Sequence, residues 1–446
     1  MIRALQSRSF IDFFRTLLYD GTMIRERHIH TNDTDICFAV DRRLNSFCIG
    51  AYFLAGSMYE TERDNGISHL YEHMVFRNLK RLYGGRLYHL LSENGLYLDA
   101  STYKELIQFT VSGVAEGIDL AIDIIKKLFQ PLDIAEEEYD AEKKRIYCEI
   151  NEDDEKHTLD WLHGRRCWGS AFPAAGNLGR RSNLKRISLT RLDRFRESVI
   201  SKDNLFLCVT GNVDAEHEAK IEEAAAKIPV NPVSICRRNE VPVAADFVFG
   251  RGDIAVMDSD WYKIDLSFGF DSKRTPMPIR ELLYSALYER DECALCQELS
   301  ENDPVSYDYS GTLEQYNDRG CFTLAYETFE GLLAKSFEAV VRAINRIKQG
   351  DFDLELNKKK LADAFKLTLD DPCSLNWDLA YYGRILESPK PDWSRPALGR
   401  YEAVSMEDVT SAAREIFTRD NLVVTLRGDR RRIDKAELEE VLSGLG

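Results

Sequence analysis

The sequence predicts an α+β protein built from two similar halves in tandem. Three observations lead there. Short runs rich in β-branched and aromatic residues alternate with helical patterns in both halves of the chain. The chain also repeats itself at an offset of 217 residues: Ser201-Lys202-Asp203-Asn204-Leu205 ahead of Gly211 matches Thr418-Arg419-Asp420-Asn421-Leu422 ahead of Gly428. The same offset pairs Asp153-Asp154 with Asp370-Asp371, Lys143 with Lys360 and Glu138 with Glu355, and one register aligning several segments implies two similar domains. Finally, 446 residues are enough for two or three domains with sizeable cores. The expected division is 1–228, a linker over 229–247 that carries Pro229, Pro232 and Pro242, and 248–446.

In chain order, residues 10–19 mix charges into an apolar stretch with no small-residue cleavage site after it. They read as an amphipathic helix packed on the body rather than as a signal peptide. Residues 46–54 read as a strand, 69–73 lie on a helix, 107–111 form a strand, and 117–128 are an amphipathic helix. Residues 134–150 read as a charged helix and 205–209 as a strand. In the second half, 321–326 and 422–426 are the matching strands and 332–348 a helix.

Charged residues make up 30% and hydrophobic ones 44%, as in a soluble globular protein. A net charge of −16 argues against nucleic acid or an anionic membrane as partner and is compatible with basic peptides. No apolar run approaches the length of a membrane span. Ten cysteines without framework spacing suit a reducing, cytoplasmic setting, and Cys293-x-x-Cys296 reads as a pair of core or surface thiols.

The chemistry concentrates in His69-Leu70-Tyr71-Glu72-His73, an H-x-x-E-H pentapeptide. On a helix, His69 and His73 lie one turn apart on one face and can grip one zinc ion. Glu72 projects beside the metal, where it can take a proton from water. Two histidines do not close a zinc site, so a third ligand is needed. Glu142 and Glu149, seven apart on the charged helix, share a face: one can ligate while the other supports it.

With these residues in place, the chain resembles the pitrilysin or insulinase family of zinc peptidases. The likeness is to its short branch, which includes mitochondrial processing peptidase and bacterial processing proteases. In that family H-x-x-E-H is followed by a ligand Glu, with another Glu seven residues before it, as Glu149 and Glu142 follow His73 here. Gly56-Ser57-Met58-Tyr59-Glu60 resembles the family's G-S-x-x-E strand end. The resemblance implies two tandem α/β roll domains forming a clam-shaped chamber, with one zinc ion per chain held by His69, His73 and Glu149. It implies Glu142 as support and Glu72 as general base. It also implies that Asp99-Ala100-Ser101-Thr102, ahead of Tyr103, is an edge strand to which a peptide substrate adds as a further strand. Asp99 stands where the family has Asn, which removes a side-chain donor.

The resemblance further implies an Arg and a Tyr from the second domain. The matching stretch Leu299–Tyr307 keeps Tyr307, which would stabilise the oxyanion, but has Ser300 at the Arg position and Pro304 at the Gly position. Short-branch members that work as heterodimers place the zinc on one chain and the Arg and Tyr on the other, so this chain resembles the metal-bearing subunit. A homodimer is the alternative. The 217-residue offset carries His69, His73 and Glu149 onto Ala286, Arg290 and Lys366, which makes the second half a metal-free partner. The expected activity is zinc-dependent endopeptidase cleavage of small or unfolded peptides, with peptide maturation as its context. A non-catalytic scaffold or peptide-binding subunit is the rival reading.

Overall fold

The computed structural model describes residues 13–19, 22–61, 63–168, 178–202, 204–233, 249, 253–289, 292–302, 304–306, 308–316, 319–386 and 399–446. For 13–19, 22, 23, 151–158, 399 and 400 this covers the backbone alone. Seven strands form the first sheet: β1 (Phe13–Tyr19), β2 (Thr22–Thr31), β3 (Thr34–Val40), β4 (Ser46–Phe53), β5 (Leu96–Thr102), β6 (Ile107–Val114) and β7 (Leu205–Gly211). Five form the second: β8 (Ala255–Asp258), β9 (Tyr262–Asp271), β10 (Tyr309–Gln315), β11 (Arg319–Thr328) and β12 (Leu422–Gly428). Their spatial orders are β1-β2-β3-β7-β4-β6-β5 and β10-β11-β9-β12-β8.

Read from β3 to β5 and from β8 to β10, the two orders are the same. Each has one parallel pair, β3 with β7 and β8 with β12, and the other pairs are antiparallel. Mixed sheets and segregated helices make this an α+β fold. The repeat seen in sequence is therefore structural, but its gap-free register is not maintained throughout. β12 starts 217 residues after β7 (422 against 205), whereas the helix Met277–Tyr288 starts only 210 residues after its counterpart Ile67–Leu82. The connection between strand and helix explains the slip, since it spans 54–66 in the first half and only 272–276 in the second. The 217-residue offset also sets Leu70-Tyr71-Glu72 on Leu287-Tyr288-Glu289, but that match falls at the end of the second helix, not its start, so it is accidental. Counted from the helix starts, His69 and His73 correspond to Ile279 and Leu283, and Leu283 is core. Lys366, on the helix Leu354–Leu369, pairs with Asp363 at 3.2 Å.

The N-terminal expectation is overturned: Phe13–Tyr19 is a strand, not a helix, paired antiparallel with β2 from Phe13↔His28 to Tyr19↔Thr22. Pairing with β2 outweighed the helical reading, and Phe13, Phe14, Thr16 and Tyr19 are residue types that favour strands. The charged helix is also longer than expected, Glu136–Trp168. Residues 234–247 of the expected linker lie outside the described residues.

Each sheet buries one face against its own half's helices. On the first sheet Ile67, Leu70, Tyr71, Met74 and Val75 of the helix Ile67–Leu82 join Ile49, Ala51, Phe53 and Phe109 in one core. The opposite faces are covered reciprocally. The helix Pro372–Ala380, from the second half, lies on β4 and β7, and Leu375 and Leu379 pack with Cys37, Tyr52, Phe206 and Cys208. Fully buried Asn376 pins it: its Nδ2 donates to Cys48 O (3.1 Å) and Cys208 O (2.9 Å), and its Oδ1 accepts from the Tyr52 hydroxyl (2.7 Å).

In return, the C-terminal part of the helix Glu136–Trp168 lies on β12 and β9. There the ring of His163 sits between Thr425 Oγ1 (2.6 Å) and Ser267 Oγ (2.7 Å), and burial lowers its pKa to about 4, so the imidazole is neutral. Two hydroxyls meet the buried ring, and burial outweighs the charges of Glu314 and Asp160, which would favour its protonated form.

Candidate metal centre

The helix Ile67–Leu82 starts abruptly, and its start is held by an acid. Gly66 takes the left-handed conformation at the N-cap, φ 98°. A Cβ there would meet Gly179 Cα at 3.0 Å, so the turn requires glycine both for its dihedral and for space. Gly66 has no side chain to cap the helix. Glu60 does so instead, accepting from the backbone N–H of Gly66 and of Ser68 at 2.8 Å each and from Asn65 Nδ2 at 3.1 Å. Burial raises the Glu60 pKa and these hydrogen bonds oppose it. A carboxylate satisfying orphan N–H groups at the positive end of a helix favours its ionised form. The extra residues 54–66 that break the repeat register thus supply the cap of the motif helix.

One residue after Ser68, His69 begins the stripe His69, His73 and Arg77 at helical spacing. His69 and Glu72 are buried, His73 partly so, and the two imidazole centroids are 4.6 Å apart. Across from them the helix Glu136–Trp168 presents Glu149, whose Oε2 lies 3.3 Å from His69 Nε2 and 3.5 Å from His73 Nε2. Among the described residues, His69, His73 and Glu149 are the only group of three or more His, Cys, Asp or Glu placed to hold a metal ion.

The spacing suits zinc. A tetrahedral centre with bonds of about 2.0–2.1 Å has ligand-to-ligand edges of roughly 3.3–3.5 Å. Two imidazole nitrogens and one carboxylate oxygen also leave one position open, as in catalytic zinc sites.

The electrostatics of the centre favour a proton on His69. Burial alone would lower the His69 pKa, but hydrogen bonds and charge from Glu149 and Glu72 outweigh it and raise it to about 9. The His69 hydrogen bond in turn lowers Glu149, against burial and helped by the charges of His69 and His73. Two turns before Glu149 along the same face, the nearly fully buried Glu142 accepts at Oε1 from His73 Nδ1 (3.0 Å) and also binds Arg77 and Arg145. Burial pushes its pKa up, but the His73 and Arg77 hydrogen bonds and the two guanidinium charges prevail, leaving it at about 2. A permanently charged Glu142 fixes the His73 ring so that Nε2 faces Glu149.

Glu72 stands 3.7 Å from His69 Nδ1, and its Oε2 accepts a 2.5 Å hydrogen bond from Thr102 Oγ1. Thr102 ends β5, which is an edge of the first sheet. Along β5, Leu98 and Ala100 pack toward the core beneath the motif helix, so Thr102 shares their face by alternation. Asp99 and Ser101 fall on the other face, and Asp99 is exposed. Of the four expected substrate contacts, the side chain of Thr102 is thus engaged with the acid, and that of Asp99 points away from it. The sequence does not announce the Thr102–Glu72 or Arg77–Glu142 bonds. Arg77, four residues after His73, had a helical signal, but Thr102 meets Glu72 only once β5 reaches the sheet edge. Tyr307 lies outside the described residues. Ser300 is on the helical turn Gln297–Glu301. Cys293 and Cys296 are buried, and Cys293 Sγ accepts from Cys296 N at 3.3 Å.

Two family profiles match the chain. That described as "Insulinase (Peptidase family M16)" covers residues 44–166, and so all five residues of the centre; that described as "Peptidase M16 inactive domain" covers 186–361. The chain belongs to the insulinase family of peptidases. Among the relatives of this insulinase-family chain, the zinc protease YmxG of Bacillus subtilis is 22% identical over 412 residues, spanning 89% of this chain and 96% of that protein. Human mitochondrial-processing peptidase subunit beta is 25% identical over 221 residues, 49% of this chain and 44% of that one.

Among solved structures, the peptidase M16 inactive domain from Pseudomonas fluorescens superposes with a TM-score of 0.75 at 16% identity, covering 90% of this chain and 98% of that one. A protease from Helicobacter pylori gives 0.74 at 14%, covering 91% and 99%. At such identities these two share the fold.

Proposed function

We propose that this chain is a zinc-dependent endopeptidase in which His69, His73 and Glu149 hold the metal and Glu72 is the general base. The observation that carries the reading is the position of Glu149 Oε2, 3.3 and 3.5 Å from the two Nε2 atoms. Zinc bound there supplies Lewis acidity that makes water a nucleophile near neutral pH. Glu72 takes the proton of the attacking water and returns it to the leaving amine. Thr102 holds Glu72 in place through its hydrogen bond, and Glu142 holds the His73 ring. The edge strand β5, near residues 99–104, takes an extended peptide as an added strand, its main chain bonding in a way that tolerates many sequences. Tyr307, two residues before β10, donates its O–H to the developing oxyanion.

Small or unfolded peptides fit this mode, and peptide maturation is the setting we infer. Ser300 in place of an Arg, together with relatives named as subunits, supports a heterodimer with a homologous Arg- and Tyr-bearing chain. All cysteines among the described residues are free thiols, which supports a reducing, cytoplasmic setting. Among the described residues no helix is long and apolar enough to cross a membrane.

The test is cleavage of a mixed unstructured peptide library by the purified chain with zinc supplied, read by mass spectrometry, alone and with a co-expressed candidate partner. Glu72→Gln should keep its zinc, measured by elemental mass spectrometry, and lose cleavage by at least about 100-fold. Cleavage by that variant at the wild-type rate would sink the mechanism. Silence of the wild type in both formats would leave the non-catalytic readings, a scaffold or a peptide-binding subunit.

A further inference from the structure

We propose that Cys373 and Cys48 are a thiol pair oxidised by hydroperoxides to a disulfide that ties the second half's helix to the first half's sheet. Cys48 lies on β4 with no exposed surface, on the face covered by the helix Pro372–Ala380. Cys373 is exposed and is the second residue of that nine-residue helix. The two thiols lie near enough for each to shift the other's ionisation. Their backbones converge as well. Thr210 Oγ1 is 2.7 Å from Pro372 O and 3.4 Å from Cys48 O, and Asn376 Nδ2, one turn further on, is 3.1 Å from Cys48 O. Cys373 is thus held above Cys48 by a frame that does not depend on the sulfurs.

The pair divides into an attacking and a resolving thiol. The Cys48 thiol, against burial and with help from Ser112, lowers the Cys373 pKa to about 7, although Asp371 and Asp99 oppose this. Cys48 is held well above the usual thiol range, first by Cys373 and then by burial. An exposed thiolate beside a buried partner is the arrangement of oxidisable cysteines. Cys37 and Cys208, further along the sheet, are both buried and offer no exposed thiol to begin the reaction.

In the reaction, the Cys373 thiolate attacks one peroxide oxygen and the O–O bond breaks, giving a sulfenic acid and hydroxide. The hydroxide takes the Cys48 proton. The Cys48 thiolate then attacks the sulfenic sulfur, the S–O bond breaks, and the departing hydroxide is protonated. Two thiols and one hydrogen peroxide become one disulfide and two waters.

The test treats the reduced full-length protein with hydrogen peroxide, blocks the remaining thiols with N-ethylmaleimide in denaturant, and maps non-reduced tryptic peptides. The expected product links peptides 44–63 and 367–384, is reversed by dithiothreitol, persists in Cys208→Ser and is absent in Cys373→Ser. Cys373 over-oxidised to sulfinic acid with Cys48 alkylated, a dominant link to Cys208, or Cys373 still alkylated after a severalfold excess of peroxide would each overturn the proposal. The wild-type map decides even if a Cys48 variant fails to fold.

Discussion

At His69, burial and charge compete, and charge prevails, which sets the conditions for metal uptake. With its pKa raised to about 9 from 6.5, His69 holds a proton at neutral pH that a metal ion must displace. Apparent zinc affinity should therefore climb by about tenfold per pH unit up to roughly pH 9, as read by chelator competition. The sign for the metal-free chain is the reverse. The stability that His69 contributes is complete below its unfolded pKa of 6.5 and is lost as pH rises through about 9, so the metal-free melting temperature should fall over that window. Glu142→Gln should weaken zinc binding by about 10–100-fold, since it frees the His73 ring. The grouping of these side chains was legible in sequence for a geometric reason, because His69, Glu72 and His73 fit one helical turn and Glu142 and Glu149 lie two turns apart on a second helix. The bond from Thr102 to Glu72 was not, because it joins a helix to a strand end that only the sheet brings near.

Among the elements, the motif helix depends on what precedes it. Glu60 neutralises two N–H groups at its first turn, and His69 directly follows the second of them. Glu60→Ala should cost about 1–2 kcal/mol in urea denaturation, as loss of an N-cap does. It should also lower zinc affinity beyond what the melting temperature alone would explain, because His69 is then carried on a frayed turn. The longer connection over 54–66 that builds this cap is also what broke the gap-free repeat register. Conserved offsets at the β7 and β12 ends were readable from matching turn residues. An inserted connection is invisible until strands and helices have ends. The first strand was misread for a similar reason, since Phe13–Tyr19 shows no clean alternation and only pairing with β2 fixes it as a strand.

Taken as a whole, the molecule is held by exchange: each sheet's second face is finished by a helix from the other half. Asn376 carries the exchange on one side, because it serves two carbonyls and a tyrosine hydroxyl that have no access to water. Asn376→Leu, branched at the same atom but unable to hydrogen-bond, should leave those groups without this partner and cost about 3 kcal/mol, measured as a lower urea midpoint. The same variant should leave the His69, His73 and Glu149 cluster in place, since the helix Ile67–Leu82 lies on the opposite face of the first sheet. The two-half organisation could be read from the repeat, but the exchange could not, because nothing in the local pattern of 372–380 says which sheet it will cover. The exchange also orders biosynthesis. As the chain leaves the ribosome, β3, β4 and β7 exist long before residues 372–380 do, so Cys37, Tyr52 and Phe206 must wait uncovered through the synthesis of most of the second half. The nascent first half is therefore a client for chaperones, and a stalled or truncated product ending before 372 should aggregate rather than yield a working fragment.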